Sequence, residues 1–170
     1  MTVVPITIRA CNADDAAALQ QLLSQQSAYA NTLQLPYPSL DYWQQRLAPG
    51  HTPQLHRLVA CRGSELLGEI SLIPMSNARR SHVAGLGMVV SEHCRRQGVG
   101  RLMLAAAIDL AEQWLAIRRI ELEVFVDNAP AIALYEQHGF VAEGVARSYA
   151  FQNGRYADVL RMARITLQTP

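Results

Sequence analysis

No lysine occurs among the 170 residues; all fifteen basic side chains are arginine. A phosphate loop of the Gly-Lys-Ser/Thr kind is therefore excluded by composition. Cysteine is scarce and odd in number, and Cys11, Cys61 and Cys94 share no metal-ligand spacing, so neither a disulfide framework nor a metal site is indicated. The thiols are expected to be reduced and mostly packed, as in a cytoplasmic protein. Fifteen arginines against fourteen acidic residues give a formal net charge of +1, which excludes bulk attraction to nucleic acid or to an anionic membrane. No stretch approaches the ~18 uninterrupted apolar residues of a membrane helix. The opening MTVVPITIRA has no charged segment ahead of an apolar core, so no leader is expected. Repeats and low-complexity tracts are missing too. One domain over residues 1–170 is the simplest organisation, long enough to bury roughly two thirds of its unfolded surface.

What the chain does have is a short arginine- and glycine-rich stretch set between two regular patterns. Leu86, Met88, Val89 and Val90 end a strand-like run, Arg95, Arg96, Gln97, Gly98, Val99 and Gly100 follow, and a helical pattern opens at Arg101 and reaches Ala116. A helix start leaves backbone N–H groups without intrahelical acceptors, and the helix dipole adds roughly half a positive charge there. Gly98 and Gly100 carry no Cβ to hold a ligand away from the main chain. The stretch therefore predicts an anion cradle. A dinucleotide fingerprint is excluded, because it needs a third glycine and a place near the start of a βαβ unit, and neither condition holds. Arginines also gather at Arg79/Arg80 and Arg118/Arg119, which suits a small polyanion better than a duplex.

Around that stretch the patterns alternate between strand and helix. Val4, Ile6 and Ile8 mark a strand over residues 3–9; Asn12 caps a helix whose apolar face is Ala16, Leu19, Leu22 and Leu23. Residues 29–38, YANTLQLPYP, form a loop because Pro36 and Pro38 remove donors and restrict the residues before them. Its Tyr29, Leu33, Leu35 and Tyr37 either cover their own core or contact a substrate. Ser39 and Asp41 open a short helix through Leu47, carrying Tyr42 and Trp43, and a turn over 49–53 follows. Strands over 55–61 and 65–73 are joined by Arg62-Gly63-Ser64. A strand over 81–90 contains Gly85 and Gly87, which point to a bulge or to close approach of another backbone or a ligand.

The helix after the cradle places Met103, Ala107, Leu110 and Trp114 on one stripe. Residues 120–126 alternate, with Ile120, Leu122, Val124 and Val126 on one face and Glu121, Glu123 and Phe125 on the other. A strand–helix–strand path of this length implies a parallel pair. Asp127 or Asn128 caps the next helix, with Pro130 in its first turn, Ile132, Leu134 and Tyr135 along it and Gly139 at its end. Strands over 140–145 and 156–162 flank Gln152-Asn153-Gly154-Arg155, a type I′ hairpin signature.

The run over residues 121–140, ELEVFVDNAPAIALYEQHGF, contains N-x-x-A-x-x-L-Y-x-x-x-G-F about 30 residues after R-x-x-G-x-G. In that order and at that distance the two blocks resemble the GNAT superfamily of acetyltransferases, and the resemblance spans essentially the whole chain. It implies an α/β (α+β) GNAT fold: a mixed central sheet of about six or seven strands, about four flanking helices, and a splayed parallel strand pair where the cofactor binds. Two subgroups are similar. E-V-x-x-x-N-x-x-A-I-A-L-Y looks like the bacterial ribosomal-protein alanine N-acetyltransferases. N-T-L-Q-L-P at 31–36, R-R-S-H-V-A at 79–84 and F-V-D-N-A-P-A-I at 125–132 look like bacterial amino-acid N-acetyltransferases, and this set includes the loop expected near the acceptor.

From the resemblance follow acetyl-CoA as co-substrate, no metal, and a small-molecule amine as partner, with neither nucleic acid nor membrane. Met88, Val89, Val90, Arg95, Arg96, Gln97, Gly98, Val99, Gly100, Arg101, Asn128 and Tyr135 are the implied cofactor-binding residues. Main-chain donors of Met88, Val89 and Val90 would polarise the thioester carbonyl. Tyr135 matches the family's general acid, since a phenol with an ordinary pKa near ~10 is protonated at neutral pH. Glu123, twelve residues before Tyr135, matches the base of the ribosomal alanine enzymes. Glu69 acting through water is the second candidate, and Glu121 reads as an arginine partner. Asn31, Leu33, Tyr37, Glu69 and His82 are candidate acceptor contacts. Cys94, with only the adjacent His93, is discounted as a nucleophile. The resulting expectation is direct acetyl transfer to the α-amine of a free amino acid. Acetylation of a protein N-terminus and a non-catalytic acetyl-CoA sensor are the alternatives, and exposed terminal strands are compatible with a homodimer.

Overall fold

In the computed structural model residues 4–50 and 54–166 are described, so Val3 of the expected first strand and residues 51–53 of the expected turn lie outside the described residues. Seven strands, β1 (Ile6–Ala10), β2 (His56–Arg62), β3 (Glu65–Pro74), β4 (Val83–Val90), β5 (Arg119–Phe125), β6 (Val141–Gln152) and β7 (Arg155–Ile165), form one sheet in the order β1-β2-β3-β4-β5-β7-β6. Five helices accompany them among the described residues: α1 (Ala16–Leu23), α2 (Gln26–Ala30), α3 (Leu40–Leu47), α4 (Val99–Asp109) and α5 (Ala129–Gln137). β2 with β3 and β6 with β7 are joined by short turns and pair antiparallel, as β1 and β2 do across α1 to α3, whereas the crossover through α4 makes β4 and β5 parallel. That parallel ladder covers Val83, Ala84 and Gly85 against Arg119, Ile120 and Glu121. This is the mixed GNAT sheet the sequence motifs imply.

By its internal contacts the chain divides into two compact units. The first holds the residues up to Leu72 together with Gly87–Ala107; the second holds Ile73–Leu86 and the chain from Ile108 onward. In the first unit α1 lays Ala16, Leu19, Leu22 and Leu23 on a core that includes Trp43, Val59, Cys61 and Val89. Asn12 caps the turn leading into α1, and its own amide donates to Asp15 at 2.8 Å, a reciprocal capping box. Arg9 grips Asp15 with two contacts of 2.7 and 2.8 Å. Gly68 is required by packing: a Cβ there would lie 2.7 Å from both Met103 Cε and the Val89 carbonyl oxygen.

The second unit is held by β5, β6 and β7, with Ile120, Leu122, Val124, Phe125, Phe140, Val159 and Met162 buried. Asn153 and Gly154 take positive φ, +48° and +76°, as a two-residue I′ hairpin demands. Both flanking strands are longer than the sequence suggests, because β6 absorbs register shifts around Gly144 and between Ala146 and Ala150.

Three expectations need correction. The helix after the cradle starts at Val99 and does not remain α-helical: residues Leu110–Trp114 form a π turn, with the Leu115 amide bonded to the Leu110 carbonyl. The wider turn rotates Trp114 off the Met103–Ala107 stripe, and it is 77 % exposed. Val126 is exposed because β5 ends at Phe125. Residues 26–30 are helical, and the loop proper begins at Asn31.

Candidate active site

The cradle is built inside the first unit. At the end of β4 the Ser91 amide donates to the Leu67 carbonyl at 2.8 Å, and a single tight turn over Glu92–Cys94 redirects the chain. Gln25 holds that turn with both ends of its carboxamide: Nε2 donates to Ser91 Oγ at 2.9 Å, and Oε1 accepts from the Glu92 amide at 3.0 Å. Glu92 in turn accepts from the Ser27 amide. Gln97 braces the loop from within, donating to the His93 carbonyl at 2.8 Å and accepting from Arg62 at 2.9 Å. Its side chain is thus engaged in shaping the loop.

Arg96 (φ +61°) and Gly98 (φ +82°) then turn the backbone through the left-handed region, and open space surrounds the place where a Gly98 Cβ would stand. The Leu102 amide makes the first helical bond, to the Gly98 carbonyl, which leaves the amides of Val99, Gly100 and Arg101 as the donor-rich start of α4. Arg95, Arg96 and Arg101 are exposed, and among the described residues none lies within ion-pair distance of a carboxylate. Three oriented amides with three uncommitted guanidinium groups suit an anion carrying several oxygens.

Nearby in the same unit, ligand atoms of Glu65, His93 and Cys94 lie within 4.8 Å of one another, a grouping that sequence spacing does not reveal. Both His93 nitrogens already have partners, Ser91 Oγ at 3.0 Å and Glu65 at 2.7 Å. Burial, reinforced by the Glu65 charge, pushes the Cys94 thiol up, so the nucleophilic thiolate is disfavoured. The cluster reads as bracing for the turn.

Acceptor candidates in this unit part company. Asn31 donates to the Ser27 carbonyl at 2.8 Å at the end of α2. Leu33 and Tyr37 do not cover the core: they are 67 % and 95 % exposed, as Leu35 is at 80 %, because Pro36, Pro38 and Tyr37 with φ +62° carry the loop outward. Trp43, on the helix that follows this loop, is 2 % exposed and belongs to the core. Glu69 on β3 is buried; Ser71 donates a hydrogen bond to it, and Arg57 Nε lies 3.3 Å away. Burial holds its carboxyl above the ordinary range, opposed by Arg57, Ser71 and Arg46. The sequence reading missed Arg57; the available signal was a charged Glu69 within the apolar run of β3, which demands a counter-charge.

The remaining candidates lie in the second unit. Asn128 Oδ1 accepts from the Ala131 amide, and Pro130 fills the first turn of α5. Tyr135 is 7 % exposed with its ring 5.7 Å from that of Phe140, and burial pushes its phenol up to about 12. It therefore holds its proton well past pH 10, its ordinary value. Glu123 is exposed on β5, in register with Arg161 of β7. Glu121 is an arginine partner as expected, receiving Arg80 at 2.7 and 2.8 Å and Arg119 at 2.6 Å. Arg119 also grips Glu143 at 2.5 and 2.9 Å. Arg80 and Arg119 are thus committed to carboxylates, so these two arginines are not open to the small polyanion that the local clustering suggests. His82 is exposed, and its carbonyl accepts from the Arg118 and Arg119 amides.

A strand–turn–helix anion cradle on a mixed seven-stranded sheet with one parallel pair defines an acetyltransferase of the GNAT class, and the chain belongs to that family: residues 18–140 match the Acetyltransferase (GNAT) family. It is an N-acetyltransferase by relationship. Across 160 residues it is 41 % identical to the L-amino acid N-acetyltransferase AaaT of Escherichia coli, covering 94 % of this chain and 98 % of that protein. A putative ribosomal protein bS18 alanine N-acetyltransferase of Bacillus subtilis is 30 % identical over 109 residues, 64 % of this chain and 68 % of that one. Among solved structures, spermidine N-acetyltransferase from Vibrio cholerae in complex with CoA and spermine superposes with a TM-score of 0.82 at 27 % identity, covering 94 % of this chain and 95 % of that one. No described helix is long and apolar enough to cross a membrane.

Proposed function

We propose that the chain transfers the acetyl group of acetyl-CoA to the α-amine of a free amino acid, by direct attack and without an acyl-enzyme. The observation that carries the cofactor half is the start of α4, where three backbone amides meet three uncommitted arginines, a fit for the diphosphate of CoA. Similarity to an L-amino acid N-acetyltransferase along nearly the whole length supports the acceptor. The bound CoA in a structural relative supports the cofactor.

In this reading the neutral amine attacks the thioester carbonyl, whose developing negative charge is met by main-chain N–H groups of Met88, Val89 and Val90. The C–S bond breaks, the thiolate takes the phenolic proton of Tyr135, and Glu123 receives the proton lost by the amine. Products are the acetamide and CoA. Asn128 meets the pantetheine arm in addition to capping α5. A protonated Tyr135 is the form a general acid needs, and its burial favours that form. A thiol pushed up by burial makes Cys94 a poor acyl carrier. Free thiols suit a reducing compartment, which supports a cytoplasmic location.

The test is CoA release from acetyl-CoA across amino acids, polyamines and short peptides. Amino acids are expected to be turned over and peptides poorly; the opposite order would make the protein a modifier of polypeptide N-termini. Tyr135→Phe is expected to lower kcat about 100-fold or more while leaving the KM for acetyl-CoA nearly unchanged. An unaltered kcat would remove Tyr135 from the chemistry.

A further inference from the structure

The first unit contains a buried charged cluster that is one acceptor short. Arg57 on β2 has a side chain only 8 % exposed, and its Nε and Nη1 are shielded from water with no hydrogen-bond partner among the described residues. Trp43 on α3 is in the same condition: its indole Nε1 is buried and unpaired. The two belong to one assembly, since the Arg57 guanidinium carbon lies 5.2 Å from the Trp43 ring centroid. Arg46, one turn further along α3, stands 5.6 Å from the same ring. Among the described residues the carboxylate within ion-pair distance of Arg57 is Glu69, which lies 3.3 Å from Arg57 Nε without hydrogen-bond alignment and which accepts from Ser71. Arg46 is half-buried and donates to the Tyr42 hydroxyl at 2.6 Å, so in the buried part Glu69 balances the charge of Arg57 and leaves its N–H donors unmet.

A buried unsatisfied donor is costly, and proteins keep such groups where a ligand completes them. The missing partner must offer several lone pairs to N–H donors and must be small. A carboxylate meets both conditions. Amines without a carboxylate, such as polyamines, bring further donors and no acceptor.

We infer that Arg57, together with the Trp43 indole N–H, receives the carboxylate of the acceptor, so that the acceptor class is an amino acid with a free carboxylate. The inference deepens the proposed amino-acid acetylation and rests on it. Arg57 is a specificity residue in this account, and Glu69 balances its charge while the ligand is away.

The experiment compares leucine, phenylalanine and methionine with their carboxamides and their decarboxylated amines as acceptors for the wild-type enzyme. The free acids are expected to exceed the amides in kcat/KM by roughly 10- to 100-fold, as befits a charge-assisted hydrogen bond. Arg57→Gln is expected to bring that ratio towards one, through the KM of the acids, with the KM for acetyl-CoA unchanged. Should Arg57→Gln fail to fold, Trp43→Phe removes only the indole N–H and is expected to raise the KM of the acids a few-fold while sparing the amides. Equal use of acids and amides by the wild type overturns the inference and leaves the acetyltransferase reading intact. Release of CoA with none of the acceptors, amino acid or otherwise, overturns that reading and this inference with it.

Discussion

Two arginine-rich regions of this molecule look alike in sequence and behave in opposite ways. At the cradle, Arg95, Arg96 and Arg101 stand exposed without carboxylate partners, on a loop whose shape is fixed by amide side chains, Gln25 and Gln97. In the other unit, Arg80 and Arg119 are bound into a network with Glu121 and Glu143. The difference is one of neighbours. In the second unit Glu121, two residues along the same face of β5, and Glu143 on β6 supply carboxylates that neutralise the arginines. On a loop held by uncharged amides, the positive charge stays available to a ligand.

The largest effect that sharpens this contrast is on cofactor affinity. The double change Arg95→Ala/Arg96→Ala removes two charge-assisted contacts and is expected to weaken CoA binding about 100-fold or more in calorimetry, with the melting temperature unchanged. Arg119→Ala is expected to leave the CoA Kd within about twofold of wild type, because its charge is already spoken for. Equal losses of affinity in the two variants would erase the distinction.

Stability gives the converse, smaller effect. Arg119 is partly exposed and Glu143 more so, which discounts the pair energy through solvent screening. Arg119→Ala should cost about 1 kcal/mol, a fall of about 2–4 °C in Tm for a domain of this size, read by thermal unfolding.

The smallest effect is in its pH dependence. The Arg119 hydrogen bond holds the Glu143 carboxyl below its ordinary range; against the upward pull of burial, Arg119 and Arg80 do the same for Glu121. A carboxyl with a depressed folded pKa binds fewer protons folded than unfolded, so its contribution is complete above the unfolded value and is lost as pH falls through the folded one. Wild-type Tm should therefore drop more steeply below the ordinary carboxylate range than that of Arg119→Ala. Parallel curves would mean that the network adds nothing to stability.

Much of this arrangement was legible in the sequence, for local reasons. Caps and turns are read from adjacent residues, so Asn12, Ser39, Asn128 and Asn153-Gly154 all do what their chemistry suggests. The cradle was legible because glycines and arginines sit within a few residues of a strand end. Features that depend on distant partners were not. Arg57 and Glu69 meet across two strands, and Glu65 joins His93 and Cys94 from 28 residues away. The π turn escaped detection because apolar spacing at Met103, Ala107, Leu110 and Trp114 fits an ideal α period that the backbone abandons at Leu110. Exposure of Leu33, Leu35 and Tyr37 was equally hidden, since proline spacing says that a loop is stiff and says nothing of which way it points.

That π turn also gives the protein a pair of optical markers. Of its two indoles, Trp114 is thrown into water while Trp43 is sealed between guanidinium groups, so a soluble quencher such as acrylamide should extinguish the emission of one and spare the other. Fluorescence surviving the quencher would then report on α3 alone, without any label, in the unaltered enzyme.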